Sequence, residues 1–85
     1  MDFDEITLDC KELEAPEPIN LIISKLSCCD EKTYIKMVHR IEPVPLLTML
    51  ESNNYSTKVL KTKNDVVVYI WQNGQNELYN YIKGL

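Results

Sequence analysis

The sequence predicts an α+β fold, a two-layer α/β sandwich in the order β-α-β-α-β-β with a mixed four-stranded sheet and a short C-terminal helix. Three observations support this. The apolar period switches between two and about 3.6 residues along the chain, as in alternating strands and helices. The run VVVYIW at residues 66–71 is apolar on both faces, which is typical of a central strand. A short turn at 63–65 joins this run to the preceding strand and indicates a hairpin.

The first third of the chain predicts a strand followed by a helix. Residues 5–9 alternate, with Ile6 and Leu8 on one face, so they predict a short strand. The period changes at Pro16, which suits the first position of a helix because its missing N–H is not needed there. The helix is expected to end near residues 27–30. Its apolar stripe is formed by Ile19, Ile22, Ile23 and Leu26.

The middle of the chain predicts a second strand and a second helix. Residues 33–39 are rich in residues that favour strands. The next helix is expected to begin at Val44 or Pro45 and to run to about Ser52. The Asn pair at 53–54 suits its end, because Asn tolerates the left-handed conformation. The positions expected to be buried are Leu46, Leu47 and Leu50.

The hairpin strands are expected at 56–62 and 66–71. Because right-handed crossovers place both helices on one side of the sheet, the other face is left open. Residues 75–85 have helical apolar spacing, so this extension is expected to cover the open face or to pack against another subunit. The tail positions concerned are Leu78, Tyr81, Ile82 and Leu85. Alternation assigns to the open face either Val67, Tyr69 and Trp71 or Val66, Val68 and Ile70.

Length and charge restrict the possible functions of the chain. The 85 residues are expected to form one domain over 1–85. Residues 1–31 hold nine acids and two bases, and residues 32–85 hold seven bases and four acids, so the net charge of −4 divides into −7 and +3. The acidic front half disfavours nucleic-acid binding, because phosphate contacts need Lys and Arg. It is interpreted as a solvated surface or, alternatively, as a docking edge for a basic partner.

The chain shows no membrane or secretion signal. No apolar run approaches the roughly 18 residues of a membrane span, and the acidic N-terminus lacks the basic and apolar regions of a signal peptide. Three cysteines, an odd number, fit a reducing compartment better than a disulfide scaffold. A cytoplasmic location is therefore expected.

Two motifs carry a resemblance to a known family. Leu8-Asp9, then Leu13, then Ala15-Pro16-Glu17-Pro18-Ile19 at the helix start resembles the TusA/SirA-like sulfur-carrier superfamily, whose signature ends in Cys-Pro-x-Pro. The segment Pro43-Val44-Pro45-Leu46-Leu47 is similar to the DUF2249 members, which often lack the cysteine and have no settled activity. The resemblance spans about residues 5–71 and implies a two-layer β-α-β-α-β-β sandwich.

The resemblance also implies that this chain lacks the cysteine on which the family's sulfur transfer depends. In the sulfur carriers the motif cysteine holds a persulfide, because a helix N-terminus lowers the pKa of the thiol and favours the thiolate. Here Ala15 stands at that position, so the transfer function does not carry over. Pro16 and Pro18 still frame a helix start whose backbone donors can receive an anion. Glu14 and Glu17 beside it argue against a strongly anionic guest.

A second candidate group lies at the carboxyl ends of the first two strands. Ends of parallel strands meet at one edge, where ligands commonly bind, so Cys10, His39 and Arg40 are expected beside the helix start. His39 can act as an acid, a base or a ligand, and Arg40 can clamp a carboxylate or a phosphate. The alternatives are a half-buried Cys10 whose pKa Asp9 and Glu12 raise, and a solvated His39 with Arg40 paired to an acid.

The remaining motifs point away from metals and cofactors. The adjacent pair Cys28-Cys29 offers two thiols, short of the four ligands of structural zinc, and one thiol is expected in the core and the other exposed. Gly74 and Gly84 are the only glycines, which excludes a phosphate loop of the usual kind. No catalytic constellation, cofactor or metal is expected.

The sequence thus predicts a non-enzymatic binding or accessory module, with a protein partner or a homodimer formed through the open sheet face. The alternative is a sulfur-transfer or redox protein that uses Cys10 in place of the motif cysteine. A third interpretation is metal or haem-type binding through His39 and a cysteine. The predicted ligand or partner edge consists of Cys10, Ala15, Pro16, Glu17, Pro18, His39, Arg40, Pro43 and Pro45.

Overall fold

The computed structural model describes residues 3–11, 17–27 and 29–85 and confirms the predicted fold class. The elements in chain order are β1 (Asp4–Asp9), α1 (Glu17–Leu26), β2 (Thr33–His39), α2 (Val44–Ser52), β3 (Tyr55–Lys61), β4 (Val66–Gln72) and α3 (Asn76–Ile82). Among these residues, no helix is long and apolar enough to cross a membrane.

The four strands form one mixed sheet in the order β1-β2-β4-β3. β1 and β2 are parallel, and β4 runs antiparallel to both of its neighbours, β2 and β3. β4 is therefore central, as its apolar sequence predicts, and five of its seven residues are buried. β1 and β3 form the two edges of the sheet.

The main core lies between one face of the sheet and the two longer helices. Ile22 of α1 and Leu46 and Leu50 of α2 are fully buried in it. The strands contribute Ile35 and Met37 from β2 and Val66, Val68 and Ile70 from β4. Both helices therefore cover the same face, as right-handed crossovers require.

Two positions in the helices differ from the prediction. Ile23 is 50% exposed, whereas Leu21 packs against the core. The two side chains lie about 100° to either side of Ile22 on the helix, so the buried arc takes in one and leaves the other in solvent. Leu47 is only partly buried, because α2 directs Leu46 and Leu50 at the sheet.

α3 covers part of the opposite face of the sheet. Leu78 and Ile82, one turn apart, pack with Tyr34 of β2 and with Tyr69 and Trp71 of β4. The set Val67, Tyr69 and Trp71 therefore points to this face, and the tail packs on its own sheet. α3 covers part of the face through which a protein partner or a homodimer was expected, and that expectation stays a prediction. Tyr81 and Leu85 of the predicted stripe are exposed. A helix of seven residues can direct only one pair of side chains a turn apart at the sheet, and here that pair is Leu78 and Ile82.

An aromatic cluster ties the start of the chain to α3. The ring of Phe3 lies 4.9 Å from that of Tyr81, and Tyr34 lies 5.9 Å from Tyr81 and 6.0 Å from Tyr69. The Tyr34 hydroxyl donates a hydrogen bond of 2.9 Å to Glu5 of β1. Burial and this neighbouring carboxylate raise the pKa of Tyr34, so its hydroxyl stays a donor.

A single lysine holds the C-terminal end of α3. The Nζ of Lys58, on β3, donates to the backbone oxygens of Ile82 (3.1 Å), Lys83 (2.9 Å) and Leu85 (3.3 Å). The last carbonyls of a helix lack partners within the helix and carry partial negative charge. Lys58 therefore satisfies them and links α3 to the edge strand.

Two left-handed residues shape the connections. Asn54 has φ of 66° just after α2, as the predicted helix stop requires, and Gly74 has φ of 85° between β4 and α3. Glycine adopts this conformation at little cost, so Gly74 allows the chain to turn from the central strand onto the second face.

We expect Leu78→Ala to lower the free energy of unfolding by about 2–5 kcal/mol, because it removes a fully buried side chain between α3 and the sheet. Urea unfolding followed by fluorescence of Trp71, the only tryptophan, measures this. Leu85→Ala is the matched control at an exposed tail position and should change the stability by about 0.5 kcal/mol or less. Equal effects of the two variants would show that α3 is not docked.

Candidate functional site

The carboxyl ends of β1 and β2 bring Cys10 and His39 together. Asp9 pairs with Val38 in the parallel register, and the Cys10 N–H donates to the Val38 carbonyl oxygen at 2.7 Å. Cys10 therefore lies next to His39, the last residue of β2. This end of the two strands is called the carboxyl edge below.

The thiol of Cys10 points away from this edge into the main core. Its side chain is 0% exposed and belongs to the cluster formed with α1 and α2. Burial, and to a smaller extent the negative charge of Asp9, raise the pKa of the Cys10 thiol above its ordinary value. Since the thiolate is the nucleophile, this position favours an inert structural thiol.

His39 uses one ring nitrogen to shape the backbone after β2. Its Nδ1 accepts hydrogen bonds from the N–H groups of Arg40 (2.8 Å) and Ile41 (3.3 Å). This network assigns the ring proton to Nε2. Because Nδ1 is occupied by backbone donors, Nε2 is the nitrogen that remains for an external group. The imidazole of His39 therefore stabilises the backbone conformation of the loop that follows β2.

The segment of residues 40–45, called the proline loop, comprises the connection after β2 and the first two residues of α2, and it is held at several points. Pro43 caps α2 with φ of −84° and Pro45 occupies its first turn. The Leu47 N–H donates to the Pro43 carbonyl at 3.0 Å. Glu42 forms a 3.3 Å ion pair with Lys61 at the end of β3. Fixed proline φ angles and these contacts together limit the movement of the loop.

The proline loop displays apolar side chains to solvent. Ile41 is 68% exposed and Val44 is 55% exposed, and Arg40 beside them is also exposed. Arg40, Pro43 and Pro45 belong to the site predicted from the sequence, whereas Ile41 and Val44 do not. Ile41 and Val44 alternate with prolines in a pattern that is typical of neither a helix nor a strand, so their exposure could not be predicted.

Part of the predicted edge lies outside the described residues. Ala15 and Pro16 are in this part, and so are the side chains of Glu17 and Pro18, whose backbone begins α1. The predicted placement of the motif loop beside His39 therefore stays a prediction.

The other cysteines do not assemble a metal centre among the described residues. Cys29 is buried and its Sγ lies 3.7 Å from the Lys25 carbonyl, as expected for the core member of the pair, while Cys28 lies outside the described part. Within 3–11, 17–27 and 29–85, no three His, Cys, Asp or Glu residues are grouped to hold a metal ion. The geometry gives no support to the metal interpretation.

The structure also contains a surface cleft that was not predicted from the sequence. A cleft of about 380 Å³ opens at the start of β3, where the Trp71 and Tyr79 rings lie 6.2 Å apart and the Ser56 hydroxyl donates to Asn73. Its lining residues are Glu51, Tyr55, Ser56, Thr57, Trp71, Asn73 and Tyr79. The cleft exists because α3 docks beside β3, so local sequence patterns carry no signal for it.

Comparison of the chain with protein-family models, curated proteins and solved structures gives no significant match. The observed order of elements agrees with the fold that the TusA-like resemblance implies. The resemblance itself stays a prediction, and since one fold hosts many activities, the function has to be argued from the site.

We expect Cys10 to react with iodoacetamide at neutral pH at least roughly tenfold more slowly in the native chain than in urea, because it is buried and its pKa is raised. Peptide mass spectrometry measures the rate. Asp9→Asn is the matched variant. It removes the negative charge that is the smaller cause of the raised pKa of Cys10, and burial remains, so the reaction should stay slow. Fast native alkylation of Cys10 would contradict its placement in the core.

Proposed function

We propose that this chain is a non-catalytic binding module, a TusA-like domain of the DUF2249 kind, that holds a protein partner at its carboxyl edge. The observation that carries the proposal is the display of Ile41 and Val44 on the restrained proline loop. The cytoplasm is the proposed location, consistent with the odd number of cysteines.

The apolar part of the surface supports a protein partner. Two neighbouring aliphatic side chains that are more than half exposed offer area for burial at the centre of an interface. The loop that carries them is already held by His39 Nδ1, by the prolines and by the Glu42–Lys61 ion pair. Binding therefore costs little ordering of the loop, which favours affinity.

The charge beside this surface indicates the chemistry of the partner. Arg40 is exposed next to Ile41, and its guanidinium suits a carboxylate in two-point contact. Glu42, the nearest acid on the same loop, is engaged by Lys61. The proposed partner surface is an apolar pocket with an acidic rim, which fixes the orientation of the complex.

The position of the thiols supports binding over sulfur transfer. Ala15 replaces the nucleophile at the motif position, and Cys10 is buried with a raised pKa. A sulfur carrier needs a thiolate that can reach its donor and its acceptor.

We expect Ile41→Ser to weaken partner binding roughly tenfold or more, because it removes a side chain whose burial contributes about 1.5–3 kcal/mol. The unaltered chain and each variant are immobilised, and the proteins retained from an extract of the source cells are quantified by mass spectrometry. The control is Ile23→Ser, which changes an exposed aliphatic residue on α1. The partner should be retained by the unaltered chain and by I23S, and lost from I41S.

Equal retention of every protein by all three chains would contradict the proposal. Loss from I23S with retention by I41S would move the interface to α1. Arg40→Ser provides a second test. It should weaken binding of the same partner, and the binding that remains should change less with salt concentration.

A further inference from the structure

We propose that a second copy of this chain pairs with the open edge of β3, so that the two sheets join into one continuous eight-stranded sheet. β3 is an edge strand, and within the described residues no element lies beyond it. It pairs with β4 over seven consecutive positions without a bulge and contains no proline. Such a strand presents a row of backbone donors and acceptors to another strand.

The hydrogen bonds that flank β3 show which backbone groups point outward. The Asn73 N–H donates to the Asn54 oxygen (3.1 Å) and the Thr62 N–H donates to the Asp65 oxygen (2.8 Å). Both pairs continue the β3–β4 register, and hydrogen-bonded pairs recur at every second residue of an antiparallel ladder. The residues bonded to β4 are therefore Ser56, Lys58 and Leu60. Those facing outward are Tyr55, Thr57, Val59 and Lys61.

The lysines of β3 do not guard this edge. Lysine side chains on edge strands usually prevent association by projecting charge into solvent. Here Lys58 is bound to the backbone oxygens at the end of α3, and Lys61 is paired with Glu42. Lys58 is therefore drawn back onto its own chain, and Lys61, although 68% exposed, has an acidic partner, so neither lysine of β3 projects an unpaired charge from this edge.

The outward backbone N–H and C=O groups of β3 can pair with the same groups of a second copy. If two β3 strands meet antiparallel about a two-fold axis at Lys58, Thr57 lies opposite Val59 of the partner subunit and Tyr55 lies opposite Lys61 of the partner subunit. All four outward residues then exchange hydrogen bonds with the other copy, roughly eight in total. A two-fold dimer requires such an isologous match of a surface with itself.

The same register limits charge repulsion. It places Lys61 of the partner subunit opposite the uncharged Tyr55 at each end of the paired strands. The two Lys58 ammonium groups approach the axis, but each is neutralised in part by the carbonyl oxygens of its own α3. This register favours a second copy over an unrelated strand.

Sedimentation equilibrium over a concentration series tests the proposal. We expect a monomer–dimer equilibrium for the unaltered chain. Thr57→Pro should weaken the dimer roughly tenfold or more, because it removes an outward donor from each copy, while edge strands tolerate proline where the N–H faces outward. Thr57→Val keeps the donor and should dimerise like the unaltered chain, and so should Ile41→Ser, which lies outside this edge.

Amide hydrogen exchange on the unaltered chain gives a second reading that does not depend on the folding of a variant. We expect the amides of Thr57 and Val59 to gain protection as the concentration rises, while that of Lys58 is protected throughout. A monomer at every concentration would overturn the proposal. So would a dimer that Thr57→Pro leaves unchanged, or one in which the Thr57 and Val59 amides exchange freely.

Discussion

The structure depends on a central strand that is apolar on both faces. β4 lies between β2 and β3 and directs Val66, Val68 and Ile70 to one side and Tyr69 and Trp71 to the other. Exposing either row to water would forfeit the burial that stabilises a small domain. The two longer helices cover the first row and the short α3 covers the second, with Lys58 securing its end.

This arrangement decides which surfaces remain for function. Much of both sheet faces is used in packing within the chain, so the accessible features are the ends of strands, the loops and the two edge strands, β1 and β3. The carboxyl edge divides its residues accordingly. Cys10 turns inward and completes the core, whereas His39 uses Nδ1 to hold a loop that directs Ile41 outward. The loop after β2 thus leaves Ile41 exposed, while both described thiols, those of Cys10 and Cys29, are buried.

Much of the fold could be predicted because local period and turn chemistry agree with it. The observed bounds of β2 and α2 match the expected ones, since prolines and an Asn pair mark their limits. The choice between Leu21 and Ile23 could not be predicted, because both are apolar and flank Ile22 symmetrically. The same holds for the face to which Tyr69 and Trp71 point, which alternation leaves open and α3 docking decides.

The candidate site was less predictable than the fold. Sequence reasoning placed Cys10 and His39 at the same edge because parallel strands end together, but the direction of the thiol depends on how α1 and α2 pack. The role of His39 Nδ1 depends on a backbone geometry that no spacing encodes. The cleft beside Tyr55 requires α3 to return across the sheet, a long-range contact without a local signature.

We propose that the carboxyl edge is a binding surface and not a sulfur-transfer centre. Intact-mass measurement of the native chain after incubation with a persulfide donor, without reductant, tests it most directly. We expect no stable gain of a sulfur atom at Cys10. A gain of one sulfur atom that Cys10→Ser abolishes would contradict this proposal and favour sulfur transfer through Cys10.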